Sequence, residues 1–454
     1  MQKPFDIAAD LHTPVSAYLR LAPLRPRYLL ESVEEGYQGR FSFIGFGDSL
    51  EVDIEPDGVY ANGEFISEDV LNGLRTALER APACGPVIKD QPFFGGLVGT
   101  SGFDLVRRLY PLPPTPHTSA EPEGRYLATE SILVFDHLTR RIALLHTGPE
   151  TERQSLRNEV VGVLRGPVEV GNGSRGHQAP KSSMSKYEFM AGVEKVKDHI
   201  TAGDVYQLVL SIKQSGETDL HPFAVYRALR LLNPSPYMYY LDFDDLQVVG
   251  SSPEALARLK GASAELRPIA GTRPRGDDDR HDKLLERQLL ADSKEAAEHV
   301  MLVDLARNDL GRTAVAGSVK VEPYRIVERY SHVMHMVSGV TGELRPDLDA
   351  LDLFAATFPA GTVSGAPKLR AIELIDELEP VNRGLYSGSV GYFGHGGSMD
   401  QAITIRTIVF GEGRYSYQAG AGIVADSDPE REHDEVLSKG AAMEAALLLA
   451  EEGI

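Results

Sequence analysis

Between Arg27 and Val424 the chain repeats one pattern: short runs of alternating apolar and polar residues, closed by turns and interrupted by helical stretches. Arg27–Ser32 and Arg40–Gly45 flank a turn at Glu35-Gly36 and read as a hairpin. Similar runs occupy 50–54, 94–98, 127–135, 142–146, 205–212, 237–242, 247–251, 389–393, 402–410 and 415–424. Helical spacing marks 68–80, 185–202, 222–232, a pair over 279–305, and a closing helix from about Pro429. Strands joined by turns, with helices interspersed, predict an α+β fold and disfavour a doubly wound parallel sheet. A stretch rich in Gly, Pro and Ser over 166–184 predicts a linker or mobile loop between an N-terminal region, 1–165, and a larger domain, 185–454.

With 454 residues the chain can bury a large core. Its net charge of −20 excludes a basic nucleic-acid surface, yet leaves room for a small anion held by a local field. One cysteine excludes an internal disulfide framework and a Cys-based zinc site. Met1–Pro14 lacks the apolar centre of a signal peptide, and no apolar run reaches about 18 residues. A cytoplasmic protein without membrane spans is expected. No Walker A or dinucleotide fingerprint is present, and nothing around Cys84 marks a glutamine-hydrolysing nucleophile.

Phe358–Arg370 packs Pro, Gly, Thr and Ser ahead of a helical run that begins near Pro367. It reads as a plain loop-to-helix junction or as an anion-binding turn with free backbone N–H groups. Glu295 and Glu298 share a helix face, as do Glu432 and Glu435. Such pairs are a solvated surface or the oxygen ligands of a hard divalent cation. Arg406, Lys368 and Lys439 are candidate partners for a carboxylate. Arg406 is expected inside an alternating strand, 402–410, as edge protection or a bidentate clamp. Lys439 has Glu435 as a competing partner. His332 and His335 lie in an apolar strand, as core residues or as a base.

Four segments in order, Pro268–Gly276, Asp304–Arg312, Glu328–His335 and Phe358–Arg370, resemble the chorismate-utilising enzymes. The resemblance extends from about Tyr28 onward and is densest after Ser185. It implies large antiparallel sheets forming a β-sandwich core with helices outside. It also implies chorismate as substrate, Mg²⁺ as cofactor, amination at C2 with loss of the C4 hydroxyl, then pyruvate elimination to anthranilate.

On the matching positions the resemblance makes Glu254 the general acid and His335 the base. Gly271, Thr272, Thr362, Tyr386, Arg406, Gly420, Gly422 and Lys439 become the substrate contacts. Glu298 and Glu435 would hold the metal, supported by Glu295 and Glu432. Leu30, Glu31 and Ser32, with Pro236, Tyr237 and Met238, resemble the segments of a tryptophan feedback site. Gln207 stands where water-adding members carry Lys, which disfavours isochorismate or salicylate formation; Ala270 stands where 4-amino members carry Lys, which favours the 2-amino product over the aminodeoxychorismate alternative. Ammonia is then expected from a separate glutamine amidotransferase subunit.

Overall fold

The computed structural model describes residues 5–32, 39–89, 91–117, 119, 121–168, 176–329 and 333–454. Every strand ladder among them is antiparallel, and most of the strands join in one large sheet; a separate three-stranded sheet carries Ile269–Pro274, Ile326–Arg329 and Val333–Val337. The hydrogen bonding is thus continuous through one large antiparallel sheet, which meets the expected α+β class with a large antiparallel sheet. Part of the predicted linker, 169–175, lies outside the described residues.

The sheet is built from both ends of the chain. Pro26–Glu31 pairs with Phe41–Glu55 on one edge, Leu29 opposite Ile44. On its other edge it pairs with Tyr237–Asp242, where Glu31 faces Met238 and Leu30 faces Tyr239. Gly96–Ser101 pairs likewise with Ser389–Gly394. The expected pieces 40–45 and 50–54 are one 15-residue strand with a register shift between Asp48 and Leu50. A bulge resets the alternation, so Leu50, Val52 and Ile54 all enter the core.

Helix ends follow local chemistry. Ser185 and Glu188 form a capping box ahead of Lys186–Ala202, and Gly203 closes that helix in the left-handed conformation. Phe189, Val193 and Val196 bury its apolar stripe. Asp292 separates the predicted helix pair by accepting from the backbone N–H groups of Lys294 and Glu295, which starts Ser293–Gly311. Glu150–Leu164 is a helix that the periodicity does not announce, because only Arg153, Val160 and Leu164 of it are buried. No helix among the described residues is long and apolar enough to cross a membrane.

Candidate active site

Glu254 follows directly on Leu246–Ser252. Ser252 Oγ donates to the Ile403 carbonyl at 2.6 Å, and the Ile403 N–H donates to the Glu254 carbonyl at 3.0 Å. These contacts set Glu254 beside 404–406. Its carboxyl is largely withdrawn from solvent, and burial pushes its pKa to about 7 against the smaller opposing influence of Thr362, Arg406 and Lys439. The Thr362 hydroxyl lies beside that carboxyl and favours its charged form, but its oxygen is buried without good hydrogen-bond geometry to any described atom.

Arg406 is not in the interior of a strand. The expected strand breaks into Met399–Ile403 and Thr407–Gly411, with Arg406 between them at a φ of 51°. Alternating β-branched residues hide this break in the sequence; pairing of the Thr404 N–H with the Gly388 carbonyl and of the Ser387 N–H with the Thr404 carbonyl enforces it. The guanidinium is enclosed, and burial lowers its pKa despite the neighbouring Tyr386, Glu254 and Glu435. It makes no hydrogen bond or ion pair to any described residue. A part-buried guanidinium that no described side chain answers thus lies beside a protonatable carboxyl.

The facing wall is the ladder between Gln207–Glu217 and Arg414–Ile423, in which Val209 opposes Gly422 and Ser211 opposes Gly420. Both glycines make room for a side chain. A Cβ at 420 would stand 2.8 Å from the Tyr386 hydroxyl oxygen, and one at 422 only 2.4 Å from Gln207 Nε2. Lys439 Nζ donates to the Gly420 carbonyl at 3.0 Å and pairs with Glu435 at 2.7 Å, so it serves both as a partner of Glu435 and as a cation beside this wall.

Phe358–Arg370 supplies the adjoining wall in a form different from the expected one. Gly361–Val363 is a single 3₁₀ turn, Gly365–Ala366 pairs with Gln207–Leu208, and Pro367 precedes the Lys368–Leu378 helix as its cap residue. The Val363 and Ser364 N–H groups are consumed inside the turn, each on a carbonyl three residues back at 3.3 Å. Lys368 is held by Asp309 and the Thr357 carbonyl, both at 3.2 Å.

His335 enters from the small sheet. Its strand pairs with Ile269–Pro274, and the register shifts between Ala270 and Thr272 around Gly271, which has a φ of 65°. His335 Nδ1 lies 3.2 Å from the Gly271 carbonyl. Burial lowers the His335 pKa, Gly271 opposes that, and Arg406 lowers it further. A neutral ring donating through Nδ1 leaves Nε2 as the basic nitrogen. A side chain at 271 would also strike Leu289 at 2.7 Å and Glu295 Oε2 at 2.9 Å, so glycine lets the helix start approach this strand pair. The side chain of Thr272 and all of His332 fall outside what the structure describes.

Glu298 and Glu432 have pKa values raised first by burial; Glu295 and Glu435 add repulsion at Glu298, and Glu435 adds it at Glu432. Glu295 is held by Arg273 at 3.1 Å. The four carboxylates therefore share one electrostatic neighbourhood. No group of three or more acidic, His or Cys side chains among the described residues is already drawn together as a ligand set.

Residues 25–445 match the model of the chorismate binding enzyme family. Anthranilate synthase component 1 of Thermus thermophilus is 46% identical over 98% of this chain and 97% of its own length. The corresponding protein of Pseudomonas aeruginosa is 43% identical over 99% and 96%. The crystal structure of anthranilate synthase component I from Streptococcus pneumoniae superposes with a TM-score of 0.79 at 36% identity, covering 98% of this chain and 100% of that one. The chain belongs to the chorismate binding enzyme family.

This family member has a second pocket, enclosing about 660 Å³ of space that includes its open mouth. Leu30, Glu31 and Ser32 line one side, and Pro236, Tyr237 and Met238 the other. The Glu31 carboxylate points out of it, held by Arg230 at 3.0 and 3.1 Å and by the Tyr226 hydroxyl, so this residue offers the pocket its backbone. Arg258 and Asp400 also line it. Arg258 Nε donates to the Tyr237 hydroxyl at 2.6 Å and lies 3.2 Å from Asp400, placing an ion pair at the pocket wall. No local pattern marks either residue; they meet only because Ala255–Lys260 pairs with Met399–Ile403.

Proposed function

We propose that this chain converts chorismate and ammonia to anthranilate and pyruvate. The observation that carries this reading is the enclosed Arg406 guanidinium without a protein partner, set against a Glu254 carboxyl that stays protonated to about pH 7. Chorismate brings a carboxylate to answer the first and a hydroxyl leaving group to use the second.

In this reading Arg406 clamps the enolpyruvyl carboxylate, with Tyr386, Thr362 and the backbone at Gly420 and Gly422 shaping the slot and Lys439 adding charge. Glu254 protonates the C4 hydroxyl, which leaves as water while ammonia attacks C2 and the ring double bonds shift. His335 Nε2 then takes the C2 proton as the C3–oxygen bond breaks, which releases pyruvate and makes the ring aromatic. Gln207 beside Gly422 has an amide that cannot deprotonate water, and the Ala270 methyl cannot attack C2, so free ammonia is the nucleophile.

Glu298 and Glu435, with Glu295 and Glu432 behind them, fit Mg²⁺ by donor chemistry: all are oxygen ligands, and a cation relieves the mutual repulsion that raises Glu298. When bound, Mg²⁺ neutralises and orients the ring carboxylate.

The decisive assay is purified chain with chorismate, Mg²⁺ and ammonium. Fluorescent 2-aminobenzoate and stoichiometric pyruvate are expected, with turnover lost to a chelator. Glutamine in place of ammonium is expected to give no product until a glutaminase subunit is added. A 4-amino product, or no turnover at all, overturns the assignment.

The second pocket suits tryptophan, with Tyr237 and Met238 against an indole and strand-edge carbonyls near Ser32 for the ammonium. It is coupled to the acid through the backbone, because Met238 and Tyr237 pair with Ser251 and Ser252, just ahead of Glu254. The chain contains no Trp, so emission from added tryptophan has no protein background. A blue shift and raised anisotropy at saturating protein are expected, together with loss of anthranilate formation. Unchanged emission would dispose of the feedback reading.

A further inference from the structure

Behind the substrate wall lies an ion pair that the chemistry above does not use. Glu379 and Arg383 stand four residues apart just beyond the Lys368–Leu378 helix, and each side chain is 2% exposed. The pair is bidentate, Nη2 to Oε1 at 2.6 Å and Nε to Oε2 at 2.9 Å. Its remaining donors and acceptors go to the elements that form the carboxylate slot. Arg383 Nη1 donates to the Val363 carbonyl at 2.8 Å, next to Thr362, and to Ser387 Oγ at 3.2 Å, next to Tyr386. Arg383 Nη2 donates to the Val209 carbonyl at 2.8 Å, and the guanidinium lies 5.5 Å from the centre of the Tyr386 ring. Glu379 Oε1 accepts from the Ser211 N–H at 2.9 Å and its hydroxyl at 2.7 Å.

Val209 and Ser211 are the residues opposite Gly422 and Gly420. The pair therefore grips the 3₁₀ turn, the Tyr386 segment and the glycine-bearing ladder at once, each next to or directly opposite a proposed substrate contact. Hydrogen bonds of a rigid planar fork transmit position better than apolar packing does, because each bond has a narrow range of length and angle. A buried ion pair contributes little net stability compared with a well-packed apolar pair, so fold maintenance alone gives weak reason for one here.

We propose that Glu379 and Arg383 are positioning residues that set the geometry of the substrate carboxylate slot. The proposal rests on chorismate being bound at Arg406. Neither residue is itself a proposed substrate contact; the pair acts through Val363, Ser387, Val209 and Ser211, and through the Arg383 guanidinium over the Tyr386 ring.

The test is steady-state kinetics on Arg383→Lys and on the double variant E379M/R383M, which removes both charges and keeps the space filled. Chorismate KM is expected to rise on the order of tenfold to a hundredfold, as small misplacements of a binding wall do. kcat at saturation should stay within about threefold, because the acid and the base sit on other elements. The Mg²⁺ concentration for half-maximal rate should not move. Thermal melting separates the alternatives: a double variant that melts like the parent and keeps its KM overturns the proposal. A fall in kcat matched by a lost melting transition, with KM unchanged, does so too. If Arg383→Lys does not fold, the double variant decides alone. Parent protein that turns over no chorismate would defeat the functional reading itself, an outcome distinct from either result on the variants.

Discussion

Glu254→Gln is expected to lower kcat by about a hundredfold to ten-thousandfold, the usual loss when a positioned acid is removed. The hydroxyl at C4 is a poor leaving group unless it departs as water, and no other enclosed acid among the residues discussed lies beside Arg406. In the parent, kcat/KM should fall on the alkaline side of pH 7 once the fraction of unprotonated ammonia is taken into account. Glu254 titrates near that pH, and only its protonated form donates. In Glu254→Gln that limb should vanish. A variant that keeps parental kcat, or keeps the alkaline limb, would remove Glu254 from the mechanism.

The same substitution is expected to stabilise the fold, which is a stronger test because loss of activity alone is unspecific. Burial raises the carboxyl from its ordinary 4.5 to about 7. The folded state thus holds a proton that the unfolded chain releases, so stability falls as pH rises from about 4.5 to 7. Above that window the buried carboxylate costs roughly 3 kcal/mol at most. Gln has no charge to bury. Denaturant unfolding at pH 8 should show the variant more stable than the parent, with the gap closing below pH 4.5. An equal or lower stability at pH 8 would contradict the burial of a titrating acid.

Arg406→Met is expected to cost between about 2 and 5 kcal/mol of substrate binding energy in the transition state. That is roughly thirtyfold to a few thousandfold in kcat/KM. Removing the fork from a desolvated charge pair leaves the substrate carboxylate facing Tyr386 and Glu254 with only Lys439 as a cation. Arg406→Lys should recover little, because an ammonium cannot present the paired donors of the fork. The unliganded variant should melt no lower than the parent, since it loses a partly desolvated cation that no described side chain pairs with. Parental kcat/KM in Arg406→Met would exclude the clamp.

These two residues also separate what was legible in the sequence from what was not. Glu254 follows a strand whose alternation is plain, and its proposed role came with the motif resemblance. Its raised pKa did not, because burial depends on Thr362 and Arg406 arriving from distant segments. Arg406 was placed in a regular strand by a run of β-branched residues, and only the pairing of Thr404 with Gly388 reveals the break. The Glu379–Arg383 pair has no signal in the chain beyond a Glu and an Arg at helical spacing, a pattern common on solvated faces.

Local chemistry written in the chain determined the helix caps at Ser185 and Asp292, the closing glycine at Gly203, most strand positions and the α+β class. These depend on hydrogen bonds and rotamers within a few residues. Tertiary structure decided which segments meet: Leu30–Ser32 against Pro236–Met238, the glycines 420 and 422 against Tyr386 and Gln207, and an enclosed Arg406 beside Glu254. Burial, and with it the proton affinity and charge state that chemistry requires, is a property of the whole packing and cannot be assigned from neighbours in sequence.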